Sequence, residues 1–153
     1  MRILVVSDSH GRSMNLFAAI ENEPTAEVVY FLGDGARDFE EAMLYYGSGK
    51  MFIGVQGNCD FSTNFPVTDI RTVEGKKIYA THGFQEKVKF GLFGLMENAT
   101  TENCHIAIFG HTHNGEYVYE DGRHYFNPGS IKEGNYGVID ITPGGIMCIN
   151  KSL

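Results

Sequence analysis

Five short apolar runs, Ile3–Val6, Val28–Leu32, Met51–Val55, Ile78–Ala80 and Ile106–Phe109, set the strongest limit on how this chain can fold. Each is rich in β-branched or aromatic residues, bounded by glycine or polar residues, and too short for a helix, so each predicts a buried strand. Between the first two, Ser13 to Glu23 carries Leu16, Phe17 and Ile20 on one helical face, with Ser13 expected as N-cap and Pro24 as the stop. Between the second and third, Asp38 to Tyr46 carries Phe39, Ala42, Met43 and Tyr46 at helical spacing, with Gly47 expected as C-cap. This alternation implies right-handed βαβ crossovers and a mainly parallel sheet. Lys87 to Asn98 predicts a third helix, interrupted by Gly91 and Gly94.

The other segments have the period of antiparallel strands. Val67–Val73, Glu116–Tyr119, His124–Phe126, Gly137–Ile141 and Ile146–Ile149 are joined by turn signals such as EGKK, EDGR and TPGG. No repeat, low-complexity tract or linker divides the chain, so residues 1–153 read as one domain, with two sheets packed together and helices outside.

Charge narrows the partners. The net charge of −7 comes with no basic stripe, which argues against a nucleic-acid surface. The densest basic cluster, Lys76 and Lys77 near Lys87 and Lys89, is interleaved with Glu74 and Glu86. An anionic substrate would draw its positive charge from elsewhere, and a bound metal is the obvious source. No apolar run approaches the roughly 20 residues of a membrane helix, and the first run is too short for a signal-peptide core. Three cysteines without framework spacing suit a reducing compartment, so a cytoplasmic location is expected.

Each apolar run ends in residues of metal-ligand type. Asp8 and His10 follow the first, Asp34 the second, Asn58 the third, His82 the fourth, and His111 with His113 the fifth. The carboxyl ends of strands in an open α/β sheet line one crevice, so these seven donors are expected to converge. Residues i and i+2 of an extended strand share a face, which would aim His111 and His113 inward together. Two carboxylates, four imidazoles and an amide are too many for one tetrahedral zinc, but suit two ions sharing Asp34. All-nitrogen and oxygen donors favour Mn²⁺, Fe or Zn²⁺ over a soft metal. His105 and His124 lack this context and read as structural.

The series DSH (Asp8, His10), GDG (Asp34), GNCD (Asn58 to Asp60), THG (His82) and GHTH (His111, His113) resembles the calcineurin-like metallophosphoesterases. More narrowly it resembles their small single-domain bacterial and archaeal phosphodiesterase branch, with the match running in order from Asp8 to NPGS at Asn127–Ser130. The resemblance implies an α/β fold, a four-layer αββα sandwich of two mixed β-sheets flanked by helices. It implies two divalent cations, foremost Mn²⁺ with Fe, Zn²⁺ or Ni²⁺ as alternatives. One would lie on Asp8, His10, Asp34 and His113, the other on Asp34, Asn58, His82 and His111. Asp34 and an attacking hydroxide would bridge them, and Asn58 would also bind the substrate phosphate. Asp34, Asn58, Cys59 and His111 form the candidate catalytic set.

Cys59 departs from the superfamily, which has histidine there as leaving-group acid. A thiol with a reference pKa of about 8.5 substitutes poorly near neutrality, so Cys59 stands open between a catalytic role and a buried filler. Asp60, whose superfamily role is to orient that histidine, loses its evident purpose. IKEGNYG after NPGS lacks the Pro-Arg frequent in the family, so substrate contacts do not carry over. The expected activity is hydrolysis of small phosphodiesters, in preference to monoesters because no basic pocket residue is evident. The alternative is a binding or scaffold module on the same fold, with Tyr117, Tyr119, Tyr125 and Phe126 as candidate partner surface. A homo-oligomer is the default for a small soluble enzyme.

Overall fold

The computed structural model describes residues 1–153, in which ten strands form two five-stranded sheets. The first contains β1 (Arg2–Val6), β2 (Ala26–Phe31), β3 (Met51–Gly54), β9 (Asn135–Thr142) and β10 (Gly145–Ser152) in the order β10-β9-β1-β2-β3. The second contains β4 (Thr68–Val73), β5 (Lys76–Thr81), β6 (Ile106–Ile108), β7 (Gly115–Glu120) and β8 (Arg123–Pro128) in the order β4-β5-β6-β8-β7. Both are mixed. β1, β2 and β3 run parallel, as do β5, β6 and β8, while β9, β10, β4 and β7 pair antiparallel.

Strand alternation builds the layers. Ile3, Val5, Val28, Tyr30 and Leu32 face Ile78, Ala80, Ile106, Ile108 and Phe126 in the core between the sheets. The intervening residues Leu4, Val6, Val29 and Phe31 pack outward against Leu16, Ile20, Phe39 and Ala42 of helices α1 (Ser13–Asn22) and α2 (Ala36–Tyr46). On the other side Tyr79, Ala107, Phe109 and Tyr125 meet Leu95 and Ala99 of α3 (Phe93–Thr101). With both faces covered, β1, β2 and β6 read as unbroken apolar runs. Each fully buried large side chain contributes about 1.5–3 kcal/mol, so this three-interface core is the main stabilising element. The architecture is the expected four-layer sandwich. No helix is long and apolar enough to cross a membrane.

Three helix boundaries differ from the sequence reading. α1 is capped by Arg12 rather than Ser13, with no side-chain cap bond. α2 starts at Ala36, two residues before Asp38, because a cap arrives from a distant loop, as described below. The third helix does not begin at Lys87. Val88–Phe90 forms a single 3₁₀ turn, Gly91 at φ 121° breaks the direction, and α3 starts at Phe93.

Candidate metal centre

β1, β2, β3, β5 and β6 all end at one edge, and the loops leaving them are stitched to each other. The Asp8 N–H donates to Gly33 O at 2.9 Å, His10 N–H to Asp34 O at 3.0 Å, and Gly110 N–H to His82 O at 3.0 Å. The close approach is possible only because the crossing points are glycine. A Cβ on Gly33 would stand 2.6 Å from Gly57 N and 2.9 Å from His82 Nδ1, and one on Gly57 would collide with Asp34.

Six of the seven sequence candidates meet here. Asp8, His10 and His113 form one set, and Asp34, His82 and His111 another, the ligand atoms of each lying within 4.8 Å of one another. Asp34 also groups with His10 and Cys59, so it is the carboxylate common to two sets. His10 Nε2 lies 3.3 Å from His113 Nε2, and His82 Nε2 lies 3.1 Å from His111 Nδ1. Asn58 stands at the exposed rim, its amide donating to Cys59 Sγ at 3.5 Å.

The inward aim of the ligands has a different origin from strand alternation. β6 stops at Ile108 and β1 at Val6, before the ligands begin. Asp8, His10, Asp34, His111 and His113 all have left-handed backbone, with φ of 56°, 43°, 61°, 69° and 62°. Non-glycine residues there cost on the order of 1–3 kcal/mol each and gather where the surrounding structure enforces them, commonly at functional sites. Left-handed turns, not the i, i+2 alternation expected of a strand, bring His111 and His113 to the other candidate donors.

Asp8 is wholly buried. Its Oδ2 accepts from Ser7 Oγ at 2.5 Å and from the His111 N–H at 3.1 Å, whereas its Oδ1 accepts no hydrogen bond. That orphan oxygen lies 3.2 Å from His113 Nε2 and 3.7 Å from His10 Nε2. A buried carboxylate oxygen left bare among imidazole nitrogens suits a cation, which would satisfy all of them at once. His82 is prepared in the same sense. Its Nδ1–H donates to Leu32 O at 2.6 Å, which in the neutral ring leaves the Nε2 lone pair toward Asp34 Oδ2 at 3.3 Å.

Charge at the centre follows from this packing. Burial works against the charged form of Asp34, yet the His82 imidazole and the Cys59 backbone outweigh it and hold the carboxyl down to about 2. Burial works against His82⁺ as well, and Asp34 with Asp8 outweighs it, raising the His82 pKa. Burial, then the charges of His82 and Lys89, lower that of His111. Partial desolvation by neighbouring groups, then the Asp34 carboxylate, push the Cys59 thiol up. Cys59 is exposed, so the buried-filler alternative is overturned.

Three residues that position the centre were missed or misread from the sequence. Asp60 is not idle: its Oδ2 accepts the N–H of Asp34 and of Gly57, both at 2.8 Å, and its Oδ1 accepts those of Gly35 at 2.8 Å and Ala36 at 2.9 Å. It thereby caps α2 from another loop and fixes the Asp34 backbone. Asp38 Oδ2 accepts from Ser9 Oγ at 2.5 Å and Gly11 N at 2.9 Å, which shapes the loop carrying His10. Asn127 of NPGS donates to Gly110 O at 3.1 Å and Thr112 Oγ1 at 3.0 Å, bracing the loop that carries His111 and His113. His105 and His124 lie outside the centre, bonded to the Lys77 N–H and to Tyr117 Oη. Of the aromatic partner-surface candidates, Tyr125 and Phe126 are buried, while Tyr117 and Tyr119 are exposed beside His124.

The calcineurin-like phosphoesterase superfamily domain model matches residues 1–142. The chain belongs to that family. It is 29% identical over 133 residues to a probable metallophosphoesterase, YsnB, of Bacillus subtilis, covering 86% of this chain and 76% of that one. It is 26% identical to the phosphodiesterase YfcE of Escherichia coli, covering 98% of this chain and 93% of that one. Among solved structures, Entamoeba histolytica Vps29 complexed with zinc superposes with a TM-score of 0.77 at 21% identity, covering 99% of each chain, a likeness of fold. Calcineurin-like phosphoesterases are metal-dependent hydrolases of phosphoric esters, and the donor sets above are of the type such metals require.

Proposed function

We propose that the chain is a phosphodiesterase working with two divalent cations, Mn²⁺ foremost, held by Asp8, His10, Asp34 and His113 on one side and Asp34, Asn58, His82 and His111 on the other. The observation that carries this reading is the bare Asp8 Oδ1 among imidazoles whose nitrogens approach each other in pairs, His10 with His113 and His82 with His111. When bound, such cations supply positive charge for the phosphoryl oxygens and a water acidic enough to attack near neutral pH.

The chain's own groups do the rest. Asp34, kept ionised, groups with His82 and His111 and again with His10, which suits it to serve both cations and to offset positive charge at the centre of the site. His82, fixed by Leu32 O, presents one nitrogen and cannot turn away. Asn58, at the exposed rim, offers an amide N–H to a phosphate oxygen, and His111 borders the mouth. The raised pKa of the Cys59 thiol makes it a weaker leaving-group acid than the superfamily's histidine. The diester preference draws support from the phosphodiesterase relative. Basic residues do border the site, contrary to expectation: Lys87 and Lys89 line a hollow against His111. The three free thiols suit the cytoplasm, where we place the activity.

The test is hydrolysis of bis-p-nitrophenyl phosphate and p-nitrophenyl phosphate by chelator-treated protein resupplied with Mn²⁺, Fe²⁺, Zn²⁺ or Ni²⁺. Faster turnover of the diester, lost in Asp34→Asn together with bound metal, is expected. No turnover with any of the four ions would overturn the proposal. The scaffold alternative draws only on the shared fold.

A further inference from the structure

Next to the metal centre the chain builds a second feature that the donor sets do not use. Residues 83–92 leave β5 beside His82 and are pinned at their middle by Glu86. Its buried carboxylate accepts from Tyr79 Oη at 2.9 Å and Thr81 Oγ1 at 3.1 Å, and Val88 packs down onto Gly83. The Val88 N–H closes onto Gly83 O at 3.2 Å and the Phe90 N–H onto Lys87 O at 2.9 Å, so the segment is internally braced. With Glu86 and Val88 turned in, Phe84, Lys87, Lys89 and Phe90 are turned out. They line, with Gln85 and His111, a hollow of about 590 Å³, within the range of small-molecule sites.

The composition of this hollow is unusual for the chain. The protein carries a net charge of −7, yet two ammonium groups and no carboxylate line it. The acid that separates the lysines in sequence, Glu86, is spent inside on Tyr79 and Thr81. Phe84 is 52% and Phe90 92% exposed, large apolar rings held in water at the mouth of a polar site. The Phe84 ring meets the His111 ring edge-on at 5.6 Å, which makes the hollow continuous with the donor set.

We infer that this hollow receives one ester substituent of the substrate, and that the substituent bears a flat ring, against Phe84 and Phe90, and a further negative charge, on Lys87 and Lys89. The substrate class is then a nucleotide-like phosphodiester carrying a second phosphate. The inference rests on the hydrolase reading above, since it places the scissile phosphate at His111. Exposed rings beside paired cations are the combination that binds a base and its phosphate.

Three esters that release the same p-nitrophenolate separate the contributions: methyl p-nitrophenyl phosphate, thymidine 5′-(p-nitrophenyl phosphate), and the latter with an added 3′-phosphate. With Mn²⁺, kcat/KM is expected to rise at least about fivefold on adding the nucleoside and roughly tenfold again on adding the 3′-phosphate. Phe84→Ala with Phe90→Ala abolishes the first ratio. Lys87→Gln with Lys89→Gln abolishes the second, the glutamine keeping an L side chain at the left-handed position 87. All four side chains are exposed, so both variants are expected to fold, which circular dichroism melts check. Equal kcat/KM for the three esters, or ratios unmoved in the variants, overturns the inference and leaves the hydrolase reading intact. Calorimetric binding of thymidine 3′,5′-bisphosphate to the Mn²⁺-loaded protein covers the opposite case. If no ester is cleaved but binding falls roughly tenfold in the lysine variant, the hollow stands and the hydrolase reading falls. If neither cleavage nor binding responds, both fall.

Discussion

The Asp60 carboxylate accepts the backbone N–H of Asp34 at 2.8 Å, and does so while accepting three others, from Gly57, Gly35 and Ala36. One side chain thus holds the donor loop after β2, the loop after β3 and the first turn of α2 in register. Asp34 at φ 61° would relax without that hold. Asp60→Asn replaces one acceptor oxygen by a donor facing N–H groups. We expect it to cost about 2–4 kcal/mol in urea denaturation, because buried donors lose charged partners. We also expect weaker Mn²⁺ binding by calorimetry, although Asp60 belongs to neither donor set. Unchanged stability would show that water replaces the carboxylate without loss.

Asp8 reverses the usual relation between a polar group and stability. Its Oδ1 is buried with no hydrogen bond, so the metal-free protein carries an uncompensated acceptor. Asp8→Asn keeps an oxygen for Ser7 Oγ and the His111 N–H and turns a donor toward His113. In chelator the variant should be at least as stable as the parent, by up to about 1 kcal/mol. The parent's Tm should rise by about 5–10 °C at hundredfold-saturating Mn²⁺, and the variant's should not. Differential scanning calorimetry with and without Mn²⁺ reads both. A variant that melts far below the chelated parent would argue against the metal assignment.

The layered fold and the meeting of six candidate donors were legible in the sequence for a common reason. Continuous runs such as Leu4-Val5-Val6 alternate between two cores, and a run buried on both faces has no polar interruption until its end, where the ligands begin. What was not legible depends on contacts between loops distant in sequence. Asp60 looks purposeless beside Cys59 until the 34–36 backbone is placed against it. The left-handed backbone of His111 and His113 is imposed by such neighbours as Asn127, 14 or more residues away in sequence. The third helix failed for a local reason, Gly91 at φ 121°, and its misplacement hid the outward turn of Lys87 and Lys89. A charge pattern of K, V, K after E reads as neutralised in one dimension and as a cationic wall once Glu86 turns inward.

Acid stability tests an ion pair remote from the centre. Arg2 holds Asp140 with two bonds of 2.9 Å and reaches the buried Glu23 at 3.2 Å, tying β1 to β9. The guanidinium lowers the Asp140 pKa, against the opposing effect of burial. A carboxyl with a lower pKa folded than unfolded adds stability that is fully present above the unfolded value of about 3.9, and loses it as pH falls through the folded value. Asp140→Asn should therefore cost about 1 kcal/mol or less at neutral pH, the pair being partly exposed, and the difference should shrink as pH falls below about 3.9. Urea midpoints across that range decide it. A constant difference would assign the effect to packing.

Cys59 stands where an acid for poor leaving groups would be useful, and its own chemistry suits that task badly. Partial desolvation and Asp34 raise its pKa, which makes the thiol a weaker acid. Cys59→Ala should leave both p-nitrophenyl and dialkyl diesters within about twofold, since a group that does not donate is not missed. Cys59→His restores an acid of useful pKa at an exposed position, and should accelerate only the dialkyl diesters, whose alkoxide needs a proton. The gain should be about tenfold, below the about 10²–10⁴ of a well-positioned acid. The physical reason is Asp60, whose two oxygens are already committed to four backbone N–H groups and cannot orient the new imidazole. Initial rates on a p-nitrophenyl diester and a dinucleoside monophosphate, measured for all three proteins with Mn²⁺, separate these cases. A selective loss on the dialkyl substrate in Cys59→Ala would make the thiol itself the acid.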